Sequence, residues 1–509
     1  MADKQKNTNS QDFTKELIAF AQERGFVWGP SPEIYGGLSG FYTYAPLGKL
    51  LKNNVEDTIR RVFQQNNFWE VECPIIAPAS VWQASGHLGG FTDPLVKDVD
   101  GAVYRADHLI EEALKAKGID PAPIMAKNPD LTQLLEEHQV RAPNDKTLVP
   151  EIIQHNLMLK TNVSLDTQAY NRPETATTTY LPFNRYFDYF RKKVPFGVFQ
   201  IGKAFRNEIS PRQFILRMRE FTQAEGQLFI FKDQKNNYEP YNNTKEDELP
   251  FWPFSHQDND KTPETITLAQ AREKGWLKND AYAYTLALAY KLFRSVGIPK
   301  EIIRLRQHGP DEKAFYADDA WDVEVKLKSF GWTEMCGVHD RTDYDLTQHE
   351  THSGKKLSVS DETHKQEKPH ILEIAFGTDR MLFVLLDTLY NPQEINEGKN
   401  AFCVPAHIAP IKAAVYPLVK KDGMPEHAQK LYEELSQELV CVYDQAGSIG
   451  RRYLRASEQG IPYCMTIDQQ TLEDDTVTIR DRDTQEQTRI ARKDVLAEVK
   501  ERLRASKLF

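Results

Sequence analysis

The sequence predicts an α/β (α+β) protein in two units, the larger over residues 1–395 and the smaller over 400–509. Three observations carry that expectation. Two runs rich in β-branched and aromatic residues, 197–206 and 214–230, flank a polar loop holding Pro211 and read as a hairpin. Residues 391–400 are polar and read as a linker. Beyond them strands and helices alternate, as in a small domain built on βα units.

Each element follows from a local pattern. Phe13, Leu17, Phe20 and Ala21 stand at helical spacing within 13–24. A turn region rich in Gly, Pro and Tyr covers 25–48, and 47–66 read as a long amphipathic helix. Residues 68–74 read as a strand that stops at Pro74. Insertions are expected at about 96–165 and 233–330. Within the first, 111–158 look charged and helical; within the second, 233–280 read as a surface insertion and 281–296 as a helix. Residues 371–376 form a strand, and Gly377 opens a helix to about Tyr390. In the smaller unit strands are expected at 404–410, 440–443 and 463–467, with helices at 426–439 and 449–459. A hairpin, 476–482 with 487–491, and a helix from Lys493 close the chain.

Composition narrows the function. The 509 residues, 40% hydrophobic and 27% charged, fit a globular chain of two or three domains rather than wholesale disorder. No apolar run nears the roughly 18 residues a membrane span needs. Residues 1–12 lack an apolar signal core, so a cytoplasmic location is expected. Cys73, Cys336, Cys403, Cys441 and Cys464 include no CxxC pair, so no zinc and no disulfide framework are expected. His349 and His352, three apart in what reads as a polar loop, are read as solvated. The net charge of −10 gives no global attraction to nucleic acid. Residues 181–220 nevertheless carry nine cations against Asp188, Glu208 and Glu220, and their arginines alternate with apolar residues as a cleft would require.

The hairpin holds the chemistry. One run ends in Phe205-Arg206-Asn207-Glu208, and the return run places Arg217, Arg219 and Phe221 on one face. Arginine grips phosphate through paired hydrogen bonds, an aromatic ring stacks on a purine, and a carboxylate accepts from an exocyclic amine. No GxxxxGK[ST] occurs, so a P-loop enzyme is disfavoured. On these residues alone a nucleotide cradle and a structural salt-bridge network stand equal.

Three segments in order tip the balance. Phe205-Arg-Asn-Glu208 resembles motif 2 of the class II aminoacyl-tRNA synthetases, Gly377-Thr-Asp-Arg380 resembles motif 3, and the helix and strand ending at Pro74 resemble motif 1. Residues 81–95, Tyr104-Arg-Ala-Asp-His-Leu-Ile110, Arg172-Pro-Glu-Thr175, Arg206-Asn-Glu-Ile-Ser-Pro-Arg212 and Trp332-Thr-Glu-Met-Cys-Gly337 resemble the glycyl-tRNA synthetases of the homodimeric type. Gly447-Ser-Ile-Gly-Arg-Arg-Tyr453 and Gly460-Ile-Pro-Tyr-Cys464 resemble the anticodon-binding domain that several class II enzymes share.

The resemblance implies an antiparallel-sheet catalytic domain with helical insertions, followed by an α/β anticodon-binding domain. It implies ATP and Mg2+ as cofactors, and glycine, tRNA(Gly) and a second copy of the chain as partners, with neither membrane nor DNA. Arg206, Glu208 and Arg380 would be the catalytic set. ATP would also meet Asn207, Leu216, Arg217, Arg219, Phe221, Met335, Gly377 and Asp379, with Glu334 holding magnesium. Glycine would lie among Arg105, Glu174, Phe221, Gln223, Glu225, Glu373, Ala375 and Gly377, and Arg451, Arg452 and Arg455 would contact tRNA. Glu373 resists a surface reading, because a lone carboxylate inside an apolar strand is costly. Ala375 stands where the family often has Ser, and Thr177-Thr178 where it often has Gln-Gly. Rival readings are a non-catalytic binding protein on the same fold and a synthetase for serine, threonine or proline.

Overall fold

Apolar alternation through the middle of the chain builds one large sheet in the computed structural model, which describes residues 2–125, 129–211, 213–363, 366–393 and 401–507. Arg212 and linker residues 394–400 lie outside them. The strands are β1 (Phe68–Glu70), β2 (Phe196–Phe205), β3 (Glu220–Ile230), β4 (Glu248–Trp252), β5 (Glu264–Thr267), β6 (Ile303–Gln307), β7 (Ala320–Leu327), β8 (Gly331–Asp340) and β9 (His370–Gly377). Their order is β5-β4-β6-β7-β8-β9-β3-β2-β1. All neighbours are antiparallel except β1 with β2 and β4 with β6.

One face of this sheet is apolar and carries helices. Leu228, Trp321, Val323, Val338, Leu372, Ile374 and Phe376 point into the core shared with α1 (Pro46–Gln65), α2 (Asp280–Ser295) and α3 (Thr378–Leu389). Proline suits the first position of α1, where an N–H would have no helical partner. Leu51, Val55, Ile59, Val62 and Phe63 then recur at helical spacing and are buried. Each such side chain contributes about 1.5–3 kcal/mol on burial. Phe63 stacks on Phe199 of β2 with ring centroids 4.7 Å apart.

Several elements differ from expectation. Within 233–280, β4 and β5 extend the sheet rather than decorate its surface, with Leu249, Phe251 and Ile266 buried. Strands of five and four residues leave too short an alternation to stand out in a polar stretch. Within 111–158, helical turns at Ala106–Ala116 and Leu131–Glu137 give way to a strand, Leu148–Asn156, paired on Thr92–Asp98. The strand expected from 214 begins at Glu220, after a 3-10 turn at Phe214–Leu216, because Gln213 and Phe214 take left-handed φ angles. The strand at 68–74 ends at Glu70. His349 and His352 sit on a helix, Tyr344–Ser353, and His349 is buried rather than solvated.

The smaller unit has β10 (Ala413–Pro417), β11 (Cys441–Tyr443), β12 (Tyr463–Ile467), β13 (Thr476–Asp481) and β14 (Gln487–Ala491), ordered β11-β10-β12-β13-β14. Helices α4 (Met424–Ser436), α5 (Ile449–Glu458) and α6 (Val495–Ala505) accompany it. The strand expected at 404–410 is absent; pairing starts at Ala413, beyond Pro405 and Pro410, which lack ladder donors. Phe402, Val404, Ile408 and Tyr416 join the larger unit's core, and Arg24 pairs with Glu458 at 2.9 Å.

Candidate active site

Residues opposite one another in an antiparallel ladder share a face, so strand register alone assembles a surface on the side away from the helices. One row runs Gln227, Glu373, His339, Ala320. The next runs Gln200, Glu225, Ala375, Gly337, Asp322. A third runs Gly202, Gln223, Gly377, and Phe221 continues that face of β3. Residues scattered from 200 to 377 thereby meet.

Glu225, Glu373 and Glu174 form an acidic cluster with defined partners. Thr175 donates its hydroxyl to Glu225 at 2.5 Å and its backbone N–H to the Gln223 side-chain oxygen at 3.1 Å. Glu373 accepts from the Tyr180 hydroxyl at 2.6 Å and from Arg341 at 3.2 Å, while Asp345 holds Arg341 at 2.8 Å. Glu174 accepts from the Thr177 hydroxyl at 2.8 Å and lies 3.5 Å from His87 Nε2. Behind the cluster, fully buried Arg172 donates to the carbonyls of Lys203 and Cys73 and to the Gln200 side chain. It fits because Gly202 has no Cβ; one would stand 2.2 Å from Arg172 Nη2.

Burial and neighbouring charge split the three carboxyls. Burial pushes Glu225 up to about 8, aided by the charges of Glu373 and Glu174. Burial also opposes ionisation of Glu373, but Arg341 and His339 outweigh it and hold Glu373 down to about 2. Glu174 is likewise held well below the usual range, burial being overcome by His87 and Arg341. The cluster therefore favours ionised Glu373 and Glu174 beside a neutral Glu225.

Cations gather at the other end. Arg206 donates Nε to the Pro173 carbonyl at 3.1 Å, and its guanidinium lies between Phe91 and Phe221, 5.3 and 5.4 Å from the ring centroids. Arg380 donates to the Glu334 carbonyl at 3.3 Å. Burial lowers its pKa against the pull of Glu334, and Arg206 and Arg217 lower it further, so three guanidiniums share one field. Glu208 acts on the same group. Arg217 is exposed, and Asn207 is fastened by its backbone N–H to the Leu157 carbonyl at 2.8 Å. Glu334 is exposed as a whole residue, yet local desolvation and the charge of Asp322 raise its carboxyl. The Glu334 carboxylate fits a hard divalent cation such as Mg2+, which takes one or two protein oxygens and completes its shell with phosphate and water.

Other expected contacts are committed elsewhere. Arg219 donates to the carbonyls of Glu208 at 2.7 Å, Ser39 at 2.8 Å and Ile209 at 3.3 Å, so it shapes the loop rather than offering its fork to phosphate. Asp379 is buried in an ion pair with Lys52 and accepts from Tyr44 and from the Thr222 backbone N–H, which makes it an anchor of α3. The Leu216 and Met335 side chains belong to the core, leaving their backbones to meet a ligand. Arg105 pairs with Asp93 at 2.6 Å and with Asp107, not with the acidic cluster. Arg452 is buried and donates to the carbonyls of Pro417, Leu418 and Gly447, and Arg455 pairs with Asp444; Arg451 is exposed.

Tyr180, Thr175, His87 and Arg341 were not singled out from sequence. No local spacing ties Arg341 to Glu373, 32 residues away, or Tyr180, 193 residues away. The one available signal was position: His87 and Thr175 lie inside the family-like segments 81–95 and 172–175.

Comparisons with known proteins point one way. A family model described as an anticodon binding domain matches residues 412–502. Glycine–tRNA ligase of Thermococcus kodakarensis is 38% identical, over 92% of this chain and 95% of its own. That of Methanocaldococcus jannaschii is 35% identical over 97% and 100%. Among solved structures, prolyl-tRNA synthetase of Giardia lamblia in complex with prolyl-adenylate superposes with a TM-score of 0.60 at 14% identity, over 98% of this chain and 80% of that one. The Cryptosporidium parvum prolyl enzyme gives 0.59 at 12%, over 97% and 78%. These last two establish the fold, an α+β class II synthetase architecture.

Proposed function

The chain belongs to the glycine–tRNA ligases, and from that premise we propose how its own residues activate glycine with ATP and pass it to tRNA(Gly). The observation that carries the proposal is the single sheet face on which Glu225, Glu373, Gln223, Phe221 and the neighbouring guanidiniums converge.

ATP lies against Phe221, with adenine stacked on that ring and its amine donating to Glu208. Arg206 takes the α-phosphate, and Arg217 and Arg380 take the outer phosphates. Glu334 would hold Mg2+, which when bound would supply Lewis-acid stabilisation of phosphate charge. The glycine ammonium sits between Glu373, Glu174 and Glu225. Gln227 supports this placement: it is fully buried beside Glu373, and neither atom of its amide has a hydrogen-bond partner. A carboxylate-lined hole leaves no room beside Cα, so alanine must clash or unpair a buried charge. The glycine carboxylate then attacks the α-phosphorus in line, releasing pyrophosphate, and the terminal ribose hydroxyl of tRNA attacks the glycyl carbonyl of the resulting anhydride, releasing AMP. Neither step needs a protein nucleophile, because holding reactants in line is worth roughly 7–11 kcal/mol at best.

We read 1–395 as the catalytic domain and 400–509 as the anticodon-binding domain, with Arg451 the free-standing tRNA contact. The enzyme acts in the cytoplasm as a homodimer. The described residues contain no helix long and apolar enough to cross a membrane.

Pyrophosphate exchange into ATP with a panel of amino acids tests the whole reading. Glycine alone should support it, and Arg206→Ala or Arg380→Ala should lower the rate at least about 100-fold in a folded protein. Near-normal exchange by folded Arg380→Ala removes the phosphate assignment; exchange with proline or threonine removes the glycine pocket.

A further inference from the structure

Three adjacent strands bring together a donor set that the aminoacylation chemistry does not use. Ala320 of β7 stands opposite His339 of β8, and the backbone N–H of His308, just past β6, donates to the Ala320 carbonyl at 3.0 Å. His308 and His339 therefore flank Ala320 on one face, with Asp322 two residues further along β7 on that face. One nitrogen of each imidazole and one Asp322 oxygen all lie within 4.8 Å of one another. His308 Nε2 already meets Asp322 Oδ2 at 2.8 Å.

The room for this cluster is built in. Gly337 pairs with Asp322, and a Cβ there would stand 2.5 Å from His339 Cε1, so the glycine lets the imidazole lie across the strand toward the carboxylate. Asp322 is buried. His339 Nδ1 is buried without a hydrogen bond, its nearest carboxylate oxygen, Glu373 Oε1, standing 3.6 Å away. Around a tetrahedral zinc with bonds of about 2.0–2.1 Å, neighbouring donor atoms stand about 3.3 Å apart. Closing from 4.8 Å to that spacing calls for rotamer adjustment of the two imidazoles, both of which are partly exposed.

We propose that His308, Asp322 and His339 bind a first-row divalent metal ion, Zn2+ foremost, as a three-ligand site with an open position toward the acid-lined pocket. Two imidazoles with one carboxylate suit such an ion and not Mg2+, which prefers oxygen ligands and keeps its waters. The site is thus distinct in chemistry from the magnesium on Glu334. The cysteine spacings that argue against zinc exclude thiolate sites only. His339 stands in the Glu373 row, so a further ligand on the metal would be an amine or a water beside the glycine pocket.

Purified full-length protein, stripped with a chelator and dialysed against Zn2+ in excess Mg2+ without nucleotide, tests the site through metal content by mass spectrometry. The wild type should retain one Zn2+ per chain, and the Co2+ form should show the absorption bands of a low-coordinate site. His339→Ala and Asp322→Asn should each lose the ion while circular dichroism stays native. A wild type without stoichiometric Zn2+, or a folded His339→Ala that keeps it, overturns the proposal. If one variant misfolds, the other decides. Glycine-dependent exchange by the stripped protein with MgATP is scored separately, so loss of the metal site leaves the ligase reading standing, and the converse.

Discussion

Glu225 and Glu373 are diagonal neighbours on adjacent strands, yet they titrate on opposite sides of the ordinary carboxylate value of 4.5. Arg341 charge-balances Glu373, whereas Glu225 has a hydroxyl partner and two negative neighbours. The signs for stability follow. Glu373 is depressed in the fold, so its contribution is present above 4.5 and is lost as pH falls toward 2. Glu225 is raised, so its neutral form favours the fold at low pH, and that advantage fades as pH rises from 4.5 through about 8. An arriving ammonium group requires Glu225 to ionise. The KM for glycine should therefore fall with rising pH up to about 8, by about tenfold per unit at the steepest, and Glu225→Gln should flatten that slope. Exchange kinetics from pH 6 to 9 measure it, and an unchanged slope in the variant would remove Glu225 from the pocket. At this scale the charged residues were legible where an apolar strand surrounds them, as with Glu373. Their partners were not, because Tyr180 and Arg341 meet Glu373 only through the fold.

Helix α3 carries Arg380 in its first turn, so whatever fixes that turn fixes a phosphate contact. Asp379 does this from within: it pairs with buried Lys52 of α1 and accepts from the Thr222 N–H of β3, tying two helices and a strand together. Asp379→Asn leaves an ammonium buried without its main partner, a loss of about 3–5 kcal/mol, toward the lower end because Glu56 remains 3.9 Å from Lys52. Thermal unfolding should show a lower Tm, and the KM for ATP should rise while that for glycine changes little. A variant with unchanged Tm would mean the pair does not anchor α3. The hairpin β2/β3 was legible because both strands exceed nine residues. Its loop was not, since left-handed angles at Gln213 and Phe214 have no sequence cue when neither residue is Gly or Asn. That turn moves Arg217 and Arg219 off the strand and separates their roles, one exposed and one spent on backbone carbonyls.

Across the whole molecule the βα alternation toward the C-terminus was readable, and it appears as the five-stranded sheet β11-β10-β12-β13-β14. The nine-strand extent of the large sheet was not, because β4 and β5 are short strands in a polar stretch and join the sheet only through β6, which is distant in sequence. That sheet ends at β1, which among the described residues is paired on one side only and whose exposed Trp69 sits edge-on to Tyr189 at 6.0 Å. Trp69 is 53% exposed, and Ile75 and Ile76 beyond the strand are also exposed. A free edge carrying apolar side chains is an aggregation hazard unless something covers it. In a homodimer a second copy would do so, and α1, which packs on β1, would transmit the contact to Lys52 and hence to the Asp379 anchor beside Arg380. Trp69→Glu places a charge in that contact, where desolvation without a partner is costly. Sedimentation velocity at micromolar concentration should give a dimer for the wild type and a monomer for the variant, and exchange activity should fall with the dimer fraction. A monomeric wild type with full activity would leave the edge without this role, and a dimeric Trp69→Glu would move the interface elsewhere.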